Sequence, residues 1–174
     1  MQFEISRETL IKPLQLVTGV VERRQTLPVL SNVLLVLEGN QLSMTGTDLE
    51  VELIGRVEIE QGSQSGEVTV PARKLMDICK SLPDSASLKM ELDDNKLVIR
   101  SGRSRFTLST LPPSDFPSAE ESSEALEFAI SQERLKEMLG STSFAMAQQD
   151  VRYYLNGLLF EVSPNFLRVV ATDG

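Results

Sequence analysis

The residue types that most often carry out chemistry in proteins are scarce in this sequence. It contains no histidine and a single cysteine, Cys79. Without histidine, neither a Ser-His-Asp nor a Cys-His nucleophilic site can form, and the commonest zinc ligand is missing. One cysteine cannot form an intramolecular disulfide, and a thiolate metal cluster needs several. Carboxylates, lysines and tyrosines remain, but no pair stands at a recognisable catalytic spacing. We therefore expect no catalytic residue, no metal site and no cofactor.

The distribution of charge indicates where a binding surface could lie. The net charge of −8 argues against a protein that holds nucleic acid by neutralising phosphates over its whole surface. Basic residues nevertheless gather in segments 6–24 and 71–83, each with a net charge of +2, whereas segment 38–70 carries −6. From composition alone, this split is as compatible with ordinary surface charge as with a functional division.

An internal repeat organises the chain. A shift of 125 positions without a gap pairs Phe3–Leu10 with Phe128–Leu135, and twelve of the 49 paired positions are identical. Between the copies, segment 111–124 is rich in proline, serine and acidic residues, which is typical of an extended connector. We therefore predict an N-terminal module at 1–125 and the truncated start of a second module at 126–174.

The hydrophobic periodicity predicts the elements of the first module. Phe3 and Ile5 alternate as in a strand, and Ser6 can cap a helix that Pro13 should kink or weaken. Strands are expected at 31–38, 41–46 and 49–59. The pattern then starts again with a strand before Pro71, a helix whose apolar stripe includes Cys79, and strands at 87–92, 96–100 and 104–110. The module is thus an α+β unit, two strand-helix-three-strand units with helices packed on antiparallel sheet.

The second copy stops after its first hairpin. Such a chain leaves strands unpaired and apolar faces uncovered, so we expect it to be part of a longer protein. The longest apolar runs, such as Val33–Leu37, are far shorter than the roughly 20 residues of a membrane helix. No signal peptide is recognisable, which favours the cytoplasm.

Six motifs, in the same order and at unbroken spacing, resemble the bacterial DNA polymerase sliding clamp family, the beta subunit of DNA polymerase III. They are Leu27–Asn32, Thr45–Glu50, Val70–Lys74, Ser101–Phe106, Asp150–Gly157 and Ala171–Gly174. The resemblance implies a DNA-clamp module, three per subunit, with two subunits closed into a homodimeric ring around duplex DNA. Helices would line the hole and sheets would face outward. The third module is absent here.

The resemblance also implies residues that contact DNA. Those that match the family pattern are Arg24, Arg73, Gln149, Tyr153 and Tyr154. Arginine and glutamine reach phosphates, and aromatic faces stack on unpaired bases, so single-strand contact would accompany the duplex. Without the resemblance, Arg24 and Arg73 could equally well be solvated surface residues. One of the two tyrosines could likewise pack in the core. Adjacent residues on a strand point to opposite faces, so we expect that Tyr153 and Tyr154 are not both buried in a one-sided core.

Two further surfaces follow from the resemblance. A pocket for short peptide motifs of polymerase, clamp loader and repair proteins matches Leu155, Thr172 and Gly174. The family's pocket continues past Gly174, so this part should bind such peptides weakly or not at all, and Leu155 is as readily structural. The ring-closing interface matches Phe106 and Leu108, which alternate with Arg103 and Arg105 on the other face and could equally be core.

Three functional hypotheses remain at this point. The first is a non-catalytic processivity factor that encircles DNA and tethers the replicative polymerase. The second is a DNA-independent oligomeric adaptor built from the same repeats. The third, an enzyme, is the least supported because histidine and clustered catalytic groups are missing.

Overall fold

The computed structural model describes residues 1–21, 27–59, 61–117 and 126–174, with only the backbone of 61–63. The chain divides into two compact units, Met1–Glu120 and Glu121–Gly174. The boundary predicted near residue 125 lies outside the described residues. No helix in the described part is long and apolar enough to cross a membrane.

The first unit contains the predicted helices and strands in the predicted order. They are β1 (Gln2–Ser6), α1 (Arg7–Thr18), β2 (Asn32–Glu38), β3 (Gln41–Thr47), β4 (Glu52–Glu58), β5 (Gln61–Gln64), β6 (Gly66–Pro71), α2 (Ala72–Ser81), β7 (Ser87–Asp93), β8 (Lys96–Ser101) and β9 (Ser104–Ser109). A short 3-10 helix, Pro28–Ser31, precedes β2. The predicted order of strands and helices is confirmed, and in the described residues β5 is an additional strand of the first half that was not predicted.

Helix α1 begins as the sequence predicts. The side chain of Ser6 accepts a hydrogen bond from the Thr9 amide at 3.1 Å, so one of the unpaired amides at the helix start is satisfied. Pro13 does not interrupt the helix, which continues to Thr18. The strand below Pro13 carries Gly55, and a Cβ there would lie only 2.8 Å from the Pro13 Cβ. The missing side chain leaves the room that the proline ring occupies.

The two halves of the first unit exchange their first strands. The sheets have the orders β5-β1-β7-β8-β9 and β4-β3-β2-β6, and neighbouring strands are antiparallel. Strand β1 therefore pairs with β7 of the second half, and β6 pairs with β2 of the first half. Because each half supplies a strand to the other's sheet, neither half has a complete sheet by itself.

One hydrophobic core joins the two halves. Helix α1 packs against α2, β3 and β4, and α2 packs against β2, β6 and β9. The core includes Leu14 from α1, Leu35 and Met44 from one sheet, and Met90 from the other, all fully buried. Cys79 is also fully buried in this cluster, as its place on the apolar stripe predicts.

Burial of Cys79 leads to a testable reactivity. Burial raises the pKa of its thiol from 9.0 to about 11, against a smaller opposing effect of Arg7. At pH 8 we expect iodoacetamide to label the folded chain far more slowly than the chain in denaturant. The thiol's contribution to stability should also disappear as the pH rises from 9 towards 11, because the unfolded state loses its proton first. Equal labelling rates in the two states would contradict this burial.

The second unit repeats the start of the first. It contains α3 (Gln132–Thr142), β10 (Leu159–Ser163) and β11 (Phe166–Val170), with 3-10 helices at Ser143–Ala145 and Tyr153–Asn156. The Ser131 side chain accepts from the Arg134 amide at 3.3 Å, as Ser6 does at the start of α1. The second 3-10 helix lies 125 positions after Pro28–Ser31, so the repeat extends to irregular structure.

The counterpart of β1 in the second copy does not form a strand. Residues 126–131 correspond to β1 but have no strand structure. In the first unit, β1 is held by β5 and β7, and 126–174 contains no counterpart of either. Five of the seven apolar residues of the two-stranded sheet are exposed: Leu159, Phe160, Val162, Phe166 and Val170. Leu167 and Val169 are half-buried. A strand needs its hydrogen-bonding neighbour as much as its own sequence pattern.

Candidate functional site

The helix pair of the first unit presents exposed basic side chains: Lys12, Arg73, Lys74 and Lys80. The guanidinium of Arg73 donates to the Val21 carbonyl at 3.0 Å, which ties α2 to the chain just beyond α1. Arg73 and Lys80 line the same groove between the helices, together with Gln15. Exposed lysine and arginine side chains are of the type that contacts phosphate oxygens. Arg24, predicted to share this surface, lies outside the described residues.

The acidic residues of segment 38–70 lie between α1 and α2 in the sequence. Most of them are on strands. Exposed carboxylates there include Glu38, Glu58 and Glu67. The strands of segment 38–70 therefore carry negative charge, whereas the two helices carry positive charge. An unequal distribution of this kind can orient a protein towards a polyanion even when its net charge is negative.

In the second unit, a hydrogen-bonded loop precedes the tyrosine pair. The Asn156 side chain accepts from the Asp150 amide at 2.9 Å and donates to the Asp150 carbonyl at 3.0 Å. The carboxylate of Asp150 accepts from the Arg152 amide at 2.7 Å and from its guanidinium at 3.1 and 2.9 Å. These bonds, above all those from Arg152, hold the pKa of Asp150 at about 2. At neutral pH, Asp150 and Arg152 are therefore both charged. We call the hydrogen-bonded set of Asp150, Arg152 and Asn156 the loop frame.

Both tyrosines of the chain are exposed. Tyr153 is 83% exposed and Tyr154 is 69% exposed. Their ring centroids are 6.0 Å apart with an interplanar angle of 78°, an edge-to-face pair. The alternation argument was wrong here, because the residues form a 3-10 helix and not a strand. Core packing of one tyrosine is also excluded within this unit, so both rings are available for stacking.

Gln149 stands next to this frame in an unusual backbone conformation. Its φ is 59°, in the left-handed region that non-glycine residues rarely adopt. The turn it makes directly precedes Asp150, whose hydrogen bonds hold the following residues. The structure therefore places Gln149 at the entrance of the loop that carries Tyr153 and Tyr154.

The predicted pocket residues occupy two segments of the second unit. Leu155 is buried, and its carbonyl accepts from the Ala147 amide at 3.0 Å. Thr172 is exposed, and its hydroxyl accepts from the Gly174 amide at 3.1 Å. Between them, the Arg152 guanidinium donates to the Asp173 carbonyl at 3.2 Å, so the two segments are adjacent.

The predicted ring-closing residues lie on β9, the end strand of the five-stranded sheet. Leu108 is 8% exposed and belongs to the main core, and Phe106 is half-buried against it. A core role is thus observed for Leu108. Arg103 precedes β9 in the turn, so only Arg105 alternates with the apolar pair on the strand.

Comparison with known proteins agrees with the two-unit architecture. The sequence pattern of the DNA polymerase III beta subunit, N-terminal domain, matches residues 1–120, and that of its central domain matches residues 129–174. The chain belongs to the DNA polymerase III beta subunit family. The resemblance seen in the sequence motifs is confirmed, and so is the α+β clamp-module fold.

Members of the beta subunit family match along the whole chain. The beta sliding clamp of Pseudomonas putida is 66% identical, and that of Escherichia coli is 50% identical, each over all 174 residues. The crystal structure of the DNA polymerase III subunit beta from Pseudomonas aeruginosa has a TM-score of 0.95 and 65% identity and covers 100% of this chain. The chain spans 47% to 48% of these relatives' own length.

For this beta subunit family member, residue patterns alone did not reveal the loop frame. Asp150, Arg152 and Asn156 lie inside the motif Asp150–Gly157, and the motif by itself does not indicate their mutual hydrogen bonds. An aspartate carboxylate that accepts from the backbone amide two residues later is the usual sign of such a turn. Asp150 and Arg152 have this spacing in the sequence. The contact of Arg152 with Asp173, 21 positions away, has no local signal.

Proposed function

We propose that this chain is part of a DNA sliding clamp, the processivity factor of the replicative DNA polymerase. The complete protein would encircle duplex DNA and would act without catalysis as a subunit of a DNA polymerase III holoenzyme. The observation that carries the proposal is the match of both units, in order, to beta subunit domains, with 66% identity to a beta sliding clamp. A clamp of this kind works in the cytoplasm.

The charge distribution supports the same proposal. Exposed lysines and arginines on α1 and α2 would face the phosphates of duplex DNA, and the acidic strands would face solvent. A ring retains DNA by topology and therefore does not need a high overall positive charge. The net charge of −8 is then compatible with function on DNA.

The partners of the complete protein follow from the family. We propose a homodimeric ring, closed through the β9 edge with Phe106 and Leu108, and short peptide motifs of polymerase, clamp loader and repair proteins as ligands. Leu155, Thr172 and Gly174 would form the first part of the peptide pocket. Their adjacent segments, joined through Arg152, are consistent with one surface.

The test of the proposal is topological. The complete protein that contains this chain is loaded on nicked circular DNA, and the DNA is then cut once. A sliding clamp stays bound to the circle and leaves the linear DNA through its ends. Equal retention on circular and linear DNA would reject the clamp and favour the oligomeric adaptor.

Replacement of Arg73 by glutamine tests the helix surface directly. We expect weaker binding of labelled duplex DNA and a salt dependence whose slope falls by about 1, because one phosphate contact is lost. Fluorescence anisotropy at several salt concentrations measures both quantities.

The matched control for this measurement is Arg100→Gln. Arg100 lies on β8 and pairs with Glu91 at 2.8 Å, on a sheet and not on the helix pair. Its replacement should leave the slope unchanged. A similar loss in both variants would mean that general charge, and not the helix surface, determines binding.

A further inference from the structure

The first part of the connector is bound to the first unit. Leu111 forms an isolated antiparallel bridge with Thr69 of β6, an end strand of the four-stranded sheet. Phe116 is only 6% exposed, although segment 111–124 has the composition of an extended connector. We call Leu111–Phe116 the strap, because it lies on the surface of the first unit and is anchored at both of its ends.

One buried hydroxyl group holds the start of the strap. Thr69 is fully buried, and its hydroxyl donates to the Leu111 carbonyl at 2.8 Å and accepts from the Asn32 side chain at 3.0 Å. The Leu111 amide lies 3.4 Å from the Thr69 carbonyl oxygen and 3.3 Å from the Thr69 hydroxyl oxygen. Removal of this hydroxyl would take a partner from both Asn32 and Leu111, and buried polar groups without partners are costly.

One aromatic side chain holds the end of the strap. Phe116 forms a small hydrophobic cluster with buried Val29 and Leu30 and with half-buried Leu34 and Leu111. This cluster is separate from the main core that joins the two halves of the first unit. Among the six residues of the strap, all of which the structure describes, only Phe116 is buried. We call the surface formed by Val29, Leu30 and Leu34 the seat.

Between its two ends, the strap does not extend the sheet. Pro112 and Pro113 have no amide hydrogen to donate to β6. The amides of Asp115 and Phe116 donate to the carbonyls of Pro112 and Pro113, at 3.1 and 2.9 Å, and thus bond within the strap. Pro112, Ser114 and Asp115 are exposed. Opening of the strap would therefore separate few groups from the first unit and would leave the main core intact.

We propose that the strap opens as a local unit and that the seat then binds an extended peptide with one aromatic anchor. The strap itself has this chemistry, since two prolines restrict its backbone and Phe116 fills the seat. Restricted backbone reduces the entropy that a peptide loses on binding. A peptide of a partner protein with the same features would take the place of the strap, so the strap is an autoinhibitory contact. This inference does not depend on the roles proposed for the second unit.

Thr69→Val tests the hold on the strap by hydrogen exchange. Valine keeps the shape of threonine but removes the hydroxyl, so the amides of Leu111 and Phe116 should exchange with D₂O about tenfold faster or more. The amide of Met44, on the central strand β3, should keep its rate. Thr69→Ser retains the hydroxyl and should restore slow exchange. No acceleration at Leu111, or equal acceleration at all three amides, would overturn the local opening.

Phe116→Ala tests the seat directly, because it removes the anchor that fills it. A labelled peptide with the sequence of residues 109–117 should bind this variant, as measured by fluorescence anisotropy, and should not bind the unsubstituted chain. The matched control is Phe144→Ala, which removes an exposed phenylalanine of the second unit and should not create binding. The same peptide carrying Phe116→Ala should not bind either protein.

The outcomes of the peptide experiment are decisive. Exchange at Met44 shows whether the Phe116→Ala variant is folded. If the folded variant does not bind the peptide, the seat does not recognise an aromatic anchor and the proposal is overturned. Equal binding to the variant and to the unsubstituted chain would place the peptide elsewhere and would also overturn it.

Discussion

Replacement of both Tyr153 and Tyr154 by serine should weaken binding of single-stranded DNA by about 30-fold or more. Stacking of a base on an aromatic ring contributes roughly 1–3 kcal/mol by substitution, and two rings are removed. Both rings are largely exposed, so their loss leaves no cavity and the fold should be retained. Anisotropy of a labelled oligonucleotide measures the affinity, and circular dichroism checks the fold.

The control for this variant is Phe144→Ser. Phe144 is 85% exposed, lies in the same unit and sits in its own 3-10 helix. If the tyrosine pair determines the affinity for single-stranded DNA, Phe144→Ser should leave that affinity unchanged. An equal loss in the control would show that exposed aromatic surface in general, and not this pair, holds DNA.

Replacement of Gly55 by valine should destabilise the first unit by roughly 1–3 kcal/mol, the usual cost of overpacking. The new Cβ would lie 2.8 Å from the Cβ of Pro13, which belongs to a rigid ring and cannot rotate away. Helix α1 would have to move off β4, and it carries Leu10, Leu14 and Val17 of the core. Denaturant unfolding, followed by circular dichroism, gives the change in the free energy of unfolding.

Arg56→Val is the matched control for this change. Arg56 is the next residue on β4 and is exposed, so its side chain points to the other face. The same new side chain there should change stability by no more than about 0.5 kcal/mol. Valine also favours strands, so a loss confined to position 55 cannot come from strand propensity. Equal stability of the two variants would contradict the close approach of α1.

Local signals predicted most of the secondary structure. The Ser6 cap, the apolar stripe of α2 and the strand pattern along β7–β9 involve residues within a few positions of one another, and the structure agrees with each. Strand β5 was missed because its four residues carry no apolar alternation. Pro13 was expected to kink or weaken α1, and the helix nevertheless continues to Thr18. The room beside the proline ring depends on Gly55, 42 positions away, for which there is no local signal.

The position of the tyrosines could have been predicted with more use of the repeat. The shift of 125 pairs residues 153–156 with 28–31, where Pro28 favours the start of a short helix over a strand. The alternation of faces along a strand does not apply to residues 153–156, because they form a 3-10 helix. The repeat thus predicted irregular structure better than the hydrophobic pattern did.

The sequence by itself determined the family, the internal repeat, the order of the predicted elements and the concentration of basic residues in segments 6–24 and 71–83. These properties depend on residue order and on interactions between near neighbours. The exchange of β1 and β6, the frame around Asp150 and the contact of Arg152 with Asp173 were decided by tertiary structure. Strand pairing and guanidinium contacts join residues far apart in the chain, and many partners are compatible with the same local pattern. Only packing into one folded unit selects among them.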